Sequence, residues 1–233
     1  MGACNAPLPP LMNRTFLLDF LRGLAANNHK PWMDEHRADY HQARAVFREL
    51  AAEVLQGVQQ FEPDLQALTP NETMFRINKN DRFQQSQAPY KRHMGAGLKR
   101  DGRHSRWAGY FLIVEPGNSW LGAGKWQPDT TGLQRIRQEI HYAADAFHAL
   151  RQQPDFVQHF PAGVEGERLQ RPPKGYDKTD PDIEWLKLKS FIVHRPVSDA
   201  ELLRPDFVAR ALESLRAAQP LVQFLNEAIG GED

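Results

Sequence analysis

The sequence predicts an α+β fold: a single domain in which a mostly antiparallel sheet packs with several helices. Three observations carry that expectation. Apolar residues recur at helical spacing in several stretches, and two apolar runs flank the turn-prone tripeptide Pro116-Gly117-Asn118, the mark of a hairpin. The order of elements, helices first, then strands, then a mixture, lacks the strict alternation of a doubly wound sheet. With 233 residues, 41% apolar and 25% charged, the chain has ordinary globular composition and can bury a core without disulfides or a metal.

The Pro-rich opening NAPLPP offers little to pack, so residues 1–13 are expected to be disordered and residues 14–230 to form the domain. Cys4, the only cysteine, has no partner in the chain, which suits a reducing cytoplasm. The run LMNRTFLLDFL is interrupted by Asn13, Arg14 and Asp19, so neither a signal peptide nor a membrane span is expected, and cytoplasmic localisation follows.

Phe16, Leu17, Phe20, Leu21 and Leu24 predict a first helix behind Thr15 as N-cap, stopped by Asn27-Asn28. Pro31 then opens a long second helix whose stripe runs through Tyr40, Ala43, Phe47, Leu50, Val54, Val58 and Phe61. Met74 to Asn78 reads as a short strand, and Trp107–Glu115 with Ser119–Lys125 as the hairpin. Asp129 or Thr130 caps a helix carrying Leu133, Ile136, Ile140, Ala143, Phe147 and Leu150 on one face. Glycines and prolines between 160 and 180 mark a linker or a binding loop. The run LKLKSFIVH after it reads as a strand, which either follows a boundary near 160–180 or completes the central sheet of one domain. Pro205 opens the last helical stretch, and Pro220 breaks or kinks it.

Charge is segregated along this neutral chain. Between Arg76 and Arg106 nine Lys/Arg face two Asp, a formal +7 that the remainder balances. Such a span either builds an electropositive pocket for phosphate, carboxylate or nucleic acid, or forms a solvated basic loop beside acidic helices. On a strand, Arg76 and Asn78 project to the same side, and Arg82 and Lys91 follow on the next loop. Tyr90, stiffened by Pro89, either meets a ligand or anchors the loop. The stretch RPPKGYD repeats this chemistry with Arg171, Lys174 and Tyr176, and the two segments make one cleft if they meet at one end of the sheet.

Other motifs carry less. GAGKWQP lacks the spacing of a phosphate loop, with Ser119 and Trp126 where a glycine and a hydroxyl belong. His141, Asp145 and His148 share a helix flank, but two turns separate the histidines, too far for one ion. His36 is a candidate general base without a nucleophile at recognisable spacing. No cofactor and no metal site is expected.

Three stretches, NNHKPWMDEHRADY, FRINKNDRFQQSQAPYK and RPPKGY, together with the hairpin and the helix LQRIRQEI, resemble a bacterial and fungal family known only as a conserved domain of unknown function. The resemblance runs from about Phe16 to Leu225. Its pattern, FRI-x-RD-x-RFS-x-x-K-x-PYK, is matched by Phe75, Arg76, Ile77, Arg82, Phe83, Pro89, Tyr90 and Lys91. Lys79, Asn80, Gln84 and Gln87 stand where the pattern has arginine, aspartate, serine and lysine. The resemblance implies no activity. The functional expectation is therefore a small anionic ligand bound by Arg76, Asn78, Arg82, Tyr90, Lys91, Arg171, Lys174 and Tyr176. The alternatives are a hydrolase or transferase acting on an anionic substrate, a nucleic-acid binder stacking bases on Trp107 and Tyr110, or a partner-binding module. No membrane partner is expected, and oligomeric state is left open.

Overall fold

The structure is a computed structural model and describes residues 10–79 and 88–231, with side chains from residue 14. In chain order it forms α1 (Pro10–Ala26), α2 (Lys30–Glu35), α3 (Arg37–Val58), a 3-10 turn (Pro63–Leu65), α4 (Pro70–Thr73), β1 (Met94–Lys99), β2 (Gly109–Val114) and β3 (Ser119–Lys125). There follow α5 (Thr130–Tyr142), α6 (Ala144–Arg151), α7 (Pro154–His159), α8 (Ile183–Leu186), β4 (Phe191–Val197), α9 (Asp199–Leu202), α10 (Phe207–Ala217) and α11 (Gln219–Gly230). The strands make one antiparallel sheet in the order β1-β2-β3-β4. This is the expected single α+β domain. Among the described residues no helix is long and apolar enough to cross a membrane.

Strand alternation sorts the sheet residues into two unlike faces. Ala96, Leu98, Tyr110, Leu112, Val114, Leu121, Ala123, Phe191 and Val193 point into the helical core with Phe47, Val54, Leu215 and Leu225. The opposite face carries Gly95, Gly97, Gly109, Gly122 and Gly124 among Lys99, Phe111, Ile113, Trp120, Ile192 and His194. Two of these glycines are required by close approach: a Cβ on Gly122 would sit 2.1 Å from the Val193 carbonyl oxygen, and one on Gly109 2.3 Å from that of Leu98.

The buried cation of the core is satisfied. Arg14 of α1 donates to the carbonyls of Leu202 and Arg204, pairs with Glu53 at 3.4 Å and lies over the Phe207 ring, tying α1 to α3 and to the α9–α10 connection.

Several expectations are corrected in detail. Helix α1 begins at Pro10, so Thr15 is inside it; residues 1–9 of the expected disordered start lie outside the described residues, and residues 10–13 already belong to α1. The long second helix is divided at His36, whose backbone leaves the helical region (φ −99°, ψ 28°). The break lets Trp32 tuck under α1, 3.0 Å from the position of a Gly23 side chain and 5.8 Å from the Phe20 ring. Another break at Ala143 separates α5 from α6 and sets Phe147 against Phe224 and Trp185. Neither break has a Pro or Gly to announce it. Met74–Asn78 is not a strand; it makes two isolated bridges, Met74 to Ala96 and Asn78 to Tyr90.

The irregular stretch after α7 is part of the domain. Its residues 165–169 run along residues 187–192, which lead into β4, with Glu165 and Ile192 exchanging both backbone hydrogen bonds and Lys189 N–H donating to the Glu167 carbonyl. β4 then completes the sheet beside β3, and the hairpin β2–β3 turns at Gly117 (φ +73°).

Gly122→Ala tests the close approach of β3 to β4. Alanine normally favours a strand over glycine, but here the methyl group meets a backbone oxygen that cannot rotate away, so a loss of about 1–3 kcal/mol or more is expected in urea unfolding. An unchanged midpoint would mean that the strands do not approach this closely.

Candidate functional site

The glycine-rich face makes room for one lysine. Lys99 ends β1 with its stem laid across Gly109, where a Cβ would come within 2.6 Å of Lys99 Cγ, and its ammonium lies 5.2 Å from the centroid of the Phe111 ring. Phe75 occupies the space above Gly95 and Gly97, 2.9 Å from the position of either side chain, and Lys91 Nζ lies 5.7 Å from its ring centroid. Two cations thus rest on two aromatic rings, an attraction that offsets part of their desolvation.

Lys99 is only 7% exposed. Burial, and then the charge of Lys125, hold its pKa down at about 8 from an ordinary 10.5. Burial also lowers Lys91. His104 is held below its usual range by desolvation and then by the positive charges of Arg103, Arg76, Lys99 and Lys91, so these groups converge on one locality. Arg103 is positioned by donating to the carbonyls of Asn71 and Glu72 beside α4. None of Arg76, Lys91, Lys99 and Arg103 forms an ion pair with a described residue. Some basic residues elsewhere do find acids: Arg22 pairs with Asp199, Arg195 with Glu201, and Arg204 with Asp206.

The sequence-derived residues distribute as follows. Arg76 and Asn78 are both exposed and flank buried Ile77, so their common sidedness holds although the segment is no strand. Tyr90 is buried, and its backbone N–H and C=O are both clamped by the Asn28 side chain, at 3.0 and 2.9 Å. Of its two expected roles, that contact supports the anchor, and it joins NNHKPW to PYK. Arg82 lies outside the described residues, as do Asn80, Asp81, Phe83, Gln84 and Gln87.

The RPPKGY stretch lines a different depression. Lys174, Gly175 (φ +94°) and Tyr176 face Gln134, Arg137, Gln138, His141 and Tyr142 of α5 across a cleft of about 850 Å3. Arg171 is exposed and does not line it, and neither do Arg76, Asn78, Tyr90 and Lys91. Arg137 braces the cleft from behind by donating to the carbonyls of Leu186 and Leu188, at 2.6 and 3.2 Å. Burial raises the Tyr176 phenol, against the pull of Arg137, and its ring meets His141 edge-on at 5.5 Å. RPPKGY and LQRIRQEI, separate in the sequence, therefore form the two walls of one cleft.

A model of a conserved hypothetical protein family, DUF2461, matches residues 16–224. The chain belongs to that family. No curated protein and no solved structure matches it.

In this DUF2461 protein the remaining candidates have structural employment. The His36 ring stacks on Trp32 at 4.2 Å and bonds the Trp32 carbonyl, which ties it to the α2–α3 break. His141 and His148 pair with different aspartates, Asp180 at 2.9 Å and Asp182 at 2.7 Å, while Asp145 is exposed. Trp107 and Tyr110 are buried and engaged, donating to Asp101 and Glu62, which removes them as base-stacking platforms. Lys99, Arg103, His104 and Phe111 have no individual signal in the sequence, and LQRIRQEI and His141 of α5 stand out there without any sign that they form a wall of the RPPKGY cleft. Lys99 and Arg103 are within the basic span, but nothing in it distinguishes a floor from a rim.

Lys99 also makes a pH prediction. Its pKa falls on folding, so between about 8 and 10.5 the unfolded chain binds more protons and stability rises with pH; below 8 the full penalty of the buried charge is present. Lys99→Met is therefore expected to be more stable than the parent at pH 7, by on the order of 2 kcal/mol. That advantage should shrink steadily from pH 8 to 10 in urea titrations. A pH-independent difference would show that the charge is not what the substitution relieves.

Proposed function

We propose that this DUF2461 protein binds a small anion bearing phosphate or carboxylate on the outer face of β1. Lys99 forms the floor, and Arg76, Lys91 and Arg103 form the walls. The observation that supports this is that four cations, one of them buried, lie within electrostatic reach of His104, with no carboxylate among the described residues paired to any of them. A lone buried charge is destabilising, so a fold that keeps one gains by acquiring an external counter-ion. At an effective dielectric of about 20, a unit charge 4 Å away contributes roughly 4 kcal/mol, enough to repay the desolvation of a ligand. Arg76 is exposed and has no ion pair with a described residue, which suits its planar donor set to two-point recognition of an oxyanion.

Thermal unfolding with increasing inorganic phosphate tests this. The parent is expected to gain stability with phosphate in a saturable manner, and Arg76→Ala to need about tenfold more. Lys99→Met should start more stable and respond far less. Equal phosphate responses in all three proteins would remove the reading.

One observation favours a second reading, an enzyme acting on an anionic carbonyl compound. The Lys99 amine is desolvated and beside another cation, which leaves a usable neutral fraction near pH 8. In that case its nitrogen attacks the carbonyl carbon, protons transfer, water leaves and an imine forms. Glyoxylate with cyanoborohydride should then leave a reduced adduct on Lys99; labelling spread over the surface lysines with Lys99 unmodified would exclude it.

A further inference from the structure

A second place collects positive charge. Between the end of β3 and the first turn of α5 lies a cavity of about 70 Å3, lined by Arg106, Lys125, Arg135, Asp129, Thr131 and Gly132 among others. We propose that this cavity binds a single phosphate group, free or as a monoester, at a site separate from the outer face of β1.

Lys125 is the reason. It is 7% exposed, lines the cavity, and makes no hydrogen bond or ion pair with a described residue. Asp129 attracts it from a distance, but that carboxylate is employed as the helix cap, accepting from the Gly132 N–H at 2.7 Å. Among the described residues that line it, the cavity therefore has three cationic side chains, of which Arg135 is already engaged, and one carboxylate, committed to the cap.

The second contribution is the end of α5, a helix of 13 residues. With Gly132 N–H taken by Asp129, the N–H groups of Thr130 and Thr131 have no acceptor within the helix, and the helix dipole adds partial positive charge at the same point. Arg135 is held in place by donating to the Ile229 carbonyl, so one wall is preset. Arg106, on the other wall, is exposed and lies 4.7 Å from the Trp107 ring centroid. The volume equals about two waters, at roughly 30 Å3 each. That admits one oxyanion group and leaves any organic remainder outside, past Arg106.

Calorimetric titration of the full chain with inorganic phosphate separates the sites, using the parent, Lys125→Met, Arg106→Ala and the double variant Arg76→Ala with Lys91→Ala. The parent is expected to bind two phosphates. The double variant should keep one, at the α5 cavity, whereas Lys125→Met should lose that one and keep the other. Arg106→Ala, at an exposed position that leaves packing intact, should weaken the cavity at least fivefold, which guards against misfolding of Lys125→Met. Full stoichiometry in both Lys125→Met and Arg106→Ala, or no binding by the double variant, overturns the proposal. If Lys125→Met alone loses all binding while the double variant keeps one phosphate, the cavity stands and the β1 site falls. Replacing phosphate with glycerol phosphate identifies the source: tighter binding to the double variant means a monoester, weaker binding means free phosphate.

Discussion

The helices of this protein pack on one face of a four-stranded sheet, and the other face is built around glycine. That constraint governs much of the rest. Where β3 meets β4 and β2 meets β1, backbone oxygens occupy the space that side chains would need, so the outer face cannot carry a regular apolar layer of its own. Its free positions go instead to a few large groups: Phe75 over Gly95 and Gly97, Phe111, Trp120, and the long stem of Lys99 over Gly109. A lysine in such a trough is shielded from water by neighbours that offer it no acceptor. Its lowered pKa is a consequence of that geometry, reinforced by the charge of Lys125.

The contrast between Arg14 and Lys99 shows how differently one chain treats two buried cations. Arg14 has two carbonyls, a carboxylate and an aromatic face, an arrangement that serves packing alone. Lys99 has one aromatic face and like-charged neighbours. A purely structural role explains the first and leaves the second as a net cost, which is why Lys99 marks the better candidate for function.

What could be read from the sequence was what local physics decides. The hairpin was legible because Pro116-Gly117-Asn118 forces a turn between two apolar runs, and the stripe from Ala43 to Val58 because its helical spacing is unbroken. β1 was not legible: in MGAGLK the two glycines lower strand propensity, and the reason they are tolerated is Phe75, which lies about twenty residues earlier. The breaks at His36 and Ala143 are imposed by tertiary packing of Trp32 and Phe147, so no local signal exists to read. The candidate site was half legible. Segregated charge pointed to the region, but Lys99 is distinguished only by β1, which places it beside Gly109, and of the two roles open to Tyr90 the anchor draws its support from Asn28, 62 residues away, which holds its backbone. The partnership of RPPKGY with α5 was hidden for the same reason.

The pairing of residues 165–169 with β4 has a consequence for the molecule in a crowded solution. At the opposite border of the sheet, Phe75 N–H donates to the Gly95 carbonyl and Met74 bridges to Ala96. Both outer strands thus spend part of their backbone hydrogen-bonding capacity on short, irregular stretches of their own chain. A free, straight border is a template on which a second molecule can add a strand and begin an aggregate, and these stretches act as fences against that. They leave this small, glycine-rich sheet with less open border on which a second copy could add a strand.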